Sequence, residues 1–379
     1  MLLLLAAAGC NRAAQGNTNT GYAYVTNGES DSVTVIDLAQ FRAIRTIAVG
    51  RSPTGVATNP MRNEVYVVNS GSDNVSVIDT AHNVVTATIG VHHAPYFISV
   101  SEDGRRGYVA NSGSANVSVL DLAQHAVVAN IPVGAAPGLA RVSPDGRTVV
   151  VSNRGDNTVS LIDAGALKVR ATVPACQHPE DIAILPDSSK AFVACTGSAQ
   201  VAAIDLKGGK LLALLDVGKT PIHLALKPDG GELFVSNFDS ATVSVIETTA
   251  NEVGGSYLIG TQPVQGVVTD DNALLYESNF GADSVSVFSI NDGKLLASIT
   301  VGDQPEALAL APNQDFLLVA DTESGDVAVV RTARLPRGNK ISTAEAILKG
   351  QNPSKERALF TLIPVGRQPN AIAIKALPR

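Results

Sequence analysis

Tryptophan is absent from this chain, aromatic side chains make up only 4% of it, and just three of its 379 residues are cysteine. The missing indole counts against repeats of the WD40 type, whose signature dipeptide needs one tryptophan per unit. Charge is also sparse, at 17% of residues with a formal net charge of -7. No global field therefore draws the chain to nucleic acid or to an acidic membrane surface. No Cys-x-x-Cys pair, c-type haem attachment motif, phosphate-cradling glycine loop or Ser-His-Asp signature occurs. The apolar run Met1 to Gly9 is too short to cross a bilayer as a helix.

What the chain does have is a proline every 42 residues, at Pro53, Pro95, Pro137, Pro179, Pro221, Pro263 and Pro305, with Pro369 one period plus 22 residues further on. Self-similarity of this length means stacked units that bury their apolar faces only against neighbours. Within a period, runs such as Val65-Tyr66-Val67-Val68 and Val75-Ser76-Val77-Ile78 are rich in β-branched side chains, and Pro144-Asp145-Gly146 or Pro228-Asp229-Gly230 marks the turns. Each period reads as a four-stranded antiparallel meander, A to D, with A following the proline. The repeat predicts an all-β, eight-bladed propeller over residues 21–379, with an insertion at about 332–358. The chain enters at strand B of the first blade, so the missing A strand is Arg367 to Lys375, and the C-terminus closes the ring.

Strand B recurs as Tyr24-Val25-Thr26-Asn27, Tyr66-Val67-Val68-Asn69 and Tyr108-Val109-Ala110-Asn111, and strand C as Val-Ser-Val-Ile-Asp or a near variant, closing on Asp37, Asp79, Asp121, Asp163 and Asp205. On these strands the chain resembles the YVTN family of β-propeller repeat proteins of bacterial surfaces and periplasms. The resemblance implies the propeller and an exported location. Residues recurring in nearly every blade read as scaffold, their short polar side chains accepting hydrogen bonds from turn amides.

At the N-terminus, residues 1–9 read as a processing signal, and Ala7-Ala8-Gly9-Cys10 resembles the lipobox of bacterial lipoproteins, in which the Cys10 thiol would receive lipid. An ordinary secretory signal is the alternative. Residues 10–20 read as a polar tether. The expectation is a membrane-anchored lipoprotein facing the periplasm or cell surface, monomeric, touching membrane only through its anchor.

Function is sought where one unit departs from the rest. In blade five, Cys176 replaces the glycine that ends most D strands and Cys195 replaces the strand-B asparagine. A disulfide is the favoured reading for an exported chain, and two separate small buried residues the alternative. The 332–358 insertion carries Arg334, Arg337, Lys340, Lys349, Lys355 and Arg357, suited either to an anionic partner or to plain solvent exposure. Residues flanking the prolines, by contrast, differ from blade to blade. Arg51, His93, His178, Glu180, Asp181, Lys219, His223, Gln265, Glu306 and Arg367 are therefore candidates for binding at the channel mouth, with His178 and His223 beside Glu180 or Asp181 as the leading cluster. A water-filled mouth would also be polar without any ligand. No short His/Asp spacing fixes a coordination geometry, so neither metal nor other cofactor is assigned.

The leading expectation is a binding or scaffold protein that recognises a protein, peptide or small ligand at the mouth. Nucleic acid is not expected as a partner. The alternative comes from resemblance to eight-bladed d1-haem propellers and proteins of haem d1 assembly. That resemblance implies a tetrapyrrole held by residues such as His93, His178, His223, Arg51, Lys219 and Arg367. A lactonase-like hydrolase, needing a metal or a His-carboxylate arrangement near His178, is a third expectation.

Overall fold

A computed structural model describes residues 20–332 and 358–376. Cys10, the leader, most of the tether and nearly all of the basic insertion lie outside the described residues. Eight four-stranded antiparallel sheets form the body, each with its strands in chain order, except that the first takes its innermost strand from the C-terminus. The A strands are Pro53–Thr58, Pro95–Val100, Pro137–Val142, Pro179–Ile184, Pro221–Leu226, Pro263–Val268, Pro305–Leu310 and Pro369–Ala376. Each A strand touches the next, and the last touches the first, so they encircle a central channel. The eight-bladed propeller expected from the proline spacing is the observed fold. Apart from two short 3-10 turns, Phe238–Ser240 and Phe280–Ala282, its regular structure among the described residues is all strand.

Ring closure follows from the register. Strand Gly21–Asn27 pairs with Pro369–Ala376, aligning Tyr24 with Ala373 and Val25 with Ile372. Lys375 then reaches into the second blade, its Nζ donating to the Asn59 and Arg62 carbonyls at 2.5 and 2.6 Å. Apolar clusters sit between blades rather than within them. Tyr24, Val33 and Val35 of blade one, for example, pack with Val56, Val65, Val67 and Ile78 of blade two. Burying each such valine is worth about 1.5 to 3 kcal/mol. No blade can be removed without exposing two such faces.

The strand-C aspartates cap turns as expected. Asp163 Oδ1 accepts the Gly165 and Ala166 amides at 2.9 and 2.8 Å, and Asp121 Oδ1 accepts those of Ala123 and Gln124. The strand-B asparagines differ from the expectation. They are fully buried, and their Nδ2 donates, as when Asn111 bonds Asn116 Oδ1 and Ser118 Oγ of strand C at 2.7 and 2.9 Å; Asn27 also accepts the Gly366 amide on its Oδ1 at 3.0 Å. Their other face meets the glycine that precedes the A strand. A Cβ on Gly50, Gly134 or Gly218 would come within 2.7 Å of the side chain of Asn69, Asn153 or Asn237. The position is glycine in six blades; the exceptions are the exposed His92 of blade three and a cysteine in blade five. Cys176 and Cys195 occupy this glycine and asparagine pair of positions, with Cα atoms 5.6 Å apart, and are joined as a disulfide.

Candidate functional site at the channel mouth

Strands A start, and strands B end, at the same face of the ring. Two positions in each blade consequently overhang the channel: the residue after the proline and the residue after the strand-B asparagine. Arg154 shows how they meet. It follows Asn153, lies in space that Gly138 leaves open (a Cβ there would be 2.5 Å from Arg154 Nε), and places a terminal nitrogen 2.6 Å from Glu180 Oε1. Its guanidinium carbon also stands 4.7 Å from the Tyr96 ring centroid. Arg154 thus bridges blades three, four and five, and its buried Nε has no acceptor. Burial pushes the Tyr96 hydroxyl up, and the carboxylates of Glu180 and Glu306 add to the effect from blades five and eight. These side chains converge across the channel.

The opposite wall is apolar. After Pro221 and Pro263 come Ile222 and Val264, and after Asn237 and Asn279 come Phe238 and Phe280, whose ring centroids lie 6.4 Å apart. Blade eight completes the mouth with Glu306, which accepts the Thr322 hydroxyl at 3.1 Å and is raised by burial. Glu180 is raised by burial too, against the pull of Arg154. The mouth is therefore two unlike walls: a cation, a phenol and two carboxylates facing aliphatic side chains and a phenyl pair.

The proline-flanking candidates divide into two tiers. Arg51, His93, His178, Lys219 and Arg367 are exposed on the rim. His178 lies over Gly197 and His93 over Gly113, where a Cβ would meet their rings at 2.8 and 2.5 Å, and His93 Nδ1 is 3.2 Å from Asp73 Oδ2. Asp181, His223 and Gln265 lie deeper, and each accepts the backbone amide of the following blade. Asp181 Oδ2 takes Leu224 N–H at 2.9 Å, His223 Nδ1 takes Gly266 N–H at 3.2 Å, and Gln265 Oε1 takes Leu308 N–H at 3.2 Å. The register shift after each of these blades' prolines lies beside these amides, which the preceding blade supplies with acceptors.

Burial pushes the Asp181 carboxyl up, but Arg141 at 3.1 Å, His223 and two amides outweigh it and hold the group below its ordinary value. His223 is lowered by burial, with Asp181 opposing from 3.8 Å. Because Nδ1 accepts a hydrogen bond, the neutral ring carries its proton on Nε2. His178 is not part of this arrangement: the structure brings together Arg141, Asp181 and His223 and leaves His178 on the rim. Among the described residues no three His, Cys, Asp or Glu side chains converge as a metal site.

Arg154, Phe238 and Phe280 escaped the sequence reading, which did not compare blades just past the strand-B asparagine, and Tyr96 was passed over although it directly follows Pro95. The position after the strand-B asparagine also fails to repeat: it is Gly28, Ser70, Ser112, Arg154, Thr196, Phe238, Phe280 and Thr322 around the ring. The same subtraction of scaffold at that position finds three of the four. Glu277 escaped as well, although it stands where the other seven blades carry valine.

Residues 59–188 match the family model of the cytochrome D1 heme domain, and residues 260–354 match that of the lactonase 7-bladed beta-propeller. No curated protein matches the chain. Among solved structures the fold is similar to that of hydrazine synthase from Kuenenia stuttgartiensis, at 22% identity and a TM-score of 0.61 over 74% of this chain and 95% of that one. It is similar also to dihydro-heme d1 dehydrogenase NirN in complex with DHE, at 15% identity and a TM-score of 0.70 over 84% and 72% of the two chains. At such identities the likeness is one of fold.

Proposed function

We propose that the channel mouth binds a planar, carboxylated ligand of the tetrapyrrole class, in an exported binding propeller of YVTN type. The two-walled mouth carries the reading. Phe238, Phe280, Ile222 and Val264 suit the face of a flat apolar ring, while Arg154, with an unfilled Nε, and the rim cations Arg51, Lys219 and Arg367 suit its carboxylates. His93 and His178 are imidazoles exposed on the rim of the mouth. An iron tetrapyrrole would supply redox chemistry and a coordination position, and this chain's residues would bind it, orient it and shield one face. The matched d1-haem model spans His93, Tyr96, Arg154, His178 and Glu180, and a fold neighbour is named for a haem d1 activity. Both support the class of ligand. The sequence before Gly21 supports lipid attachment at Cys10, with the polar stretch after it holding the propeller off the membrane.

The test is titration of the purified protein with ferric haem and with a metal-free dicarboxylic porphyrin, followed by the Soret band. Saturation at one ligand per chain is expected, with Arg154→Ala and the Phe238→Ala, Phe280→Ala pair each weakening binding at least about tenfold, as losing a charged hydrogen bond or a stacked ring should. Unaltered binding in both variants would refute the assignment to this mouth.

A further inference from the structure

The strand-B to strand-C tie is the best-repeated polar contact in the ring, and blade eight alone rebuilds it from acids. In every other blade except the fifth, where Cys195 takes the place, a buried asparagine donates to the residue paired with it on strand C and to a second side chain two positions on. Asn237, for instance, bonds Thr242 Oγ1 at 3.1 Å and Ser244 Oγ at 2.9 Å, and Asn279 bonds Ser284 and Ser286. In blade eight the three corresponding residues are Asp321, Asp326 and Ala328. Every donor has gone, and two carboxylates face one another across paired strands. Asp321 is wholly buried, and neither of its oxygens, nor Asp326 Oδ1, has a hydrogen-bond partner. The buried carboxyl lies between the Gly302 backbone, where a Cβ would come 2.8 Å from Oδ2, and the Asp326 side chain across the paired strands. Such a group needs a proton or a cation between it and its neighbour.

The surroundings favour a cation. Asp303 and Glu323, both exposed on the turns of this blade, and Glu306, buried in the channel, add negative charge on the mouth side. Neither of the strands that flank the pair, Pro305–Leu310 and Leu359–Pro364, contains a lysine, arginine or histidine. Alanine in place of the usual serine at position 328 removes a hydroxyl from beside the carboxylates. Asp326 is only half-buried, so the pair has a side open to solvent. The amides of Gly302 and Ala328 face Asp321 and offset part of its charge.

We propose that Asp321 and Asp326 form a binding site for a hard divalent cation of the calcium class, which locks the turn between strands B and C of blade eight onto the closing strand. Carboxylate oxygens suit such an ion, with water and backbone carbonyls filling its remaining positions. The turn so fixed holds the ring shut: Thr322 Oγ1 donates to the Pro369 carbonyl at 2.9 Å, and Gly325 O accepts Val365 N–H at 3.0 Å. The site is independent of the ligand proposed for the mouth.

The test is calorimetric titration of chelator-treated, full-length protein with calcium chloride at pH 8, with thermal melts on the same samples. The comparison variant is Asp321→Asn with Asp326→Ser, which restores the paired contact used in blade seven; Asp321→Asn with Asp326→Asn recreates the Asn and Asn pairing of blades two and three should the first double variant fold poorly. One ion per chain and a melting temperature raised by a few degrees are expected, both lost in the variants. Absence of binding by calcium, magnesium and manganese would overturn the proposal, as would calcium binding that survives in the variants. Stabilisation that appears only on acidification would also overturn it, assigning a shared proton in place of the ion.

Discussion

Replacing Glu277 by valine should stabilise this protein and flatten the pH dependence of its stability. The side chain is wholly buried between blades six and seven, at a position that is valine in every other blade, and neither oxygen has a hydrogen-bond partner. Burial raises its carboxyl from 4.5 to about 8, with Ser236 opposing. In the unfolded chain the group ionises above its ordinary value, whereas in the folded protein it keeps its proton until about pH 8. Stability is therefore complete below about pH 4.5 and falls by about 1.4 kcal/mol per pH unit until the folded group ionises. At pH 7 the loss is about 3 kcal/mol. Asp321 is raised to about 8 by burial and by Asp326, and it adds a slope of the same sign, so the valine variant should lose part of the slope rather than all of it. Denaturant melts of the two proteins between pH 4.5 and 8.5, in chelator-treated buffer, measure the difference. The variant's advantage should grow from a small packing term at the acid end to about 3 kcal/mol at neutrality. Parallel profiles would refute the reasoning, because they would mean that the carboxyl titrates alike folded and unfolded.

Gly266 faces the same carboxyl, and a Cβ there would lie 2.5 Å from Glu277 Oε2, so Gly266→Ala should destabilise the wild type more than it does the Glu277→Val protein; a double-mutant cycle with no coupling would contradict this. Truncation before Pro369 removes the strand that pairs with Gly21–Asn27 and the Lys375 clasp on blade two, and it should lower the melting temperature sharply by differential scanning calorimetry. Reduction of the Cys176–Cys195 bond, which closes a segment of 19 residues, should cost about 3 kcal/mol. A thermal melt unchanged by reductant would count against the pairing. The Cys176→Gly, Cys195→Asn variant, which restores the sister-blade pair, should fold and lose that response to reductant.

Much of the fold was legible because a propeller writes itself repeatedly. Eight copies of one strand pattern average out local ambiguity, and a chain that starts at strand B must find its absent A strand at the other end. The glycine and asparagine positions later joined by the disulfide could also be marked from the repeat. The site was legible only in part. Rim residues such as Arg51, His178 and Lys219 stood out beside the prolines, but the same rule could not tell exposed side chains from those consumed by the architecture. Asp181, His223 and Gln265 looked like ligands and instead accept amides of the next blade. That role depends on how neighbouring blades meet, which no single strand's pattern reveals.

The sequence by itself determined the number of blades, their strand order and the closure of the ring, because hydrophobic alternation and turn chemistry are local and recur every 42 residues. Only the tertiary structure decided which unlike residues meet. Arg154 reaches Tyr96 and Glu180 because three blades converge on one axis and Gly138 leaves the space between them. Asp321 and Asp326, five apart in the chain, become a pair with no donor only when strands B and C align. Composition and spacing specify what each blade is made of; the radial packing of the blades sets which side chains share a wall.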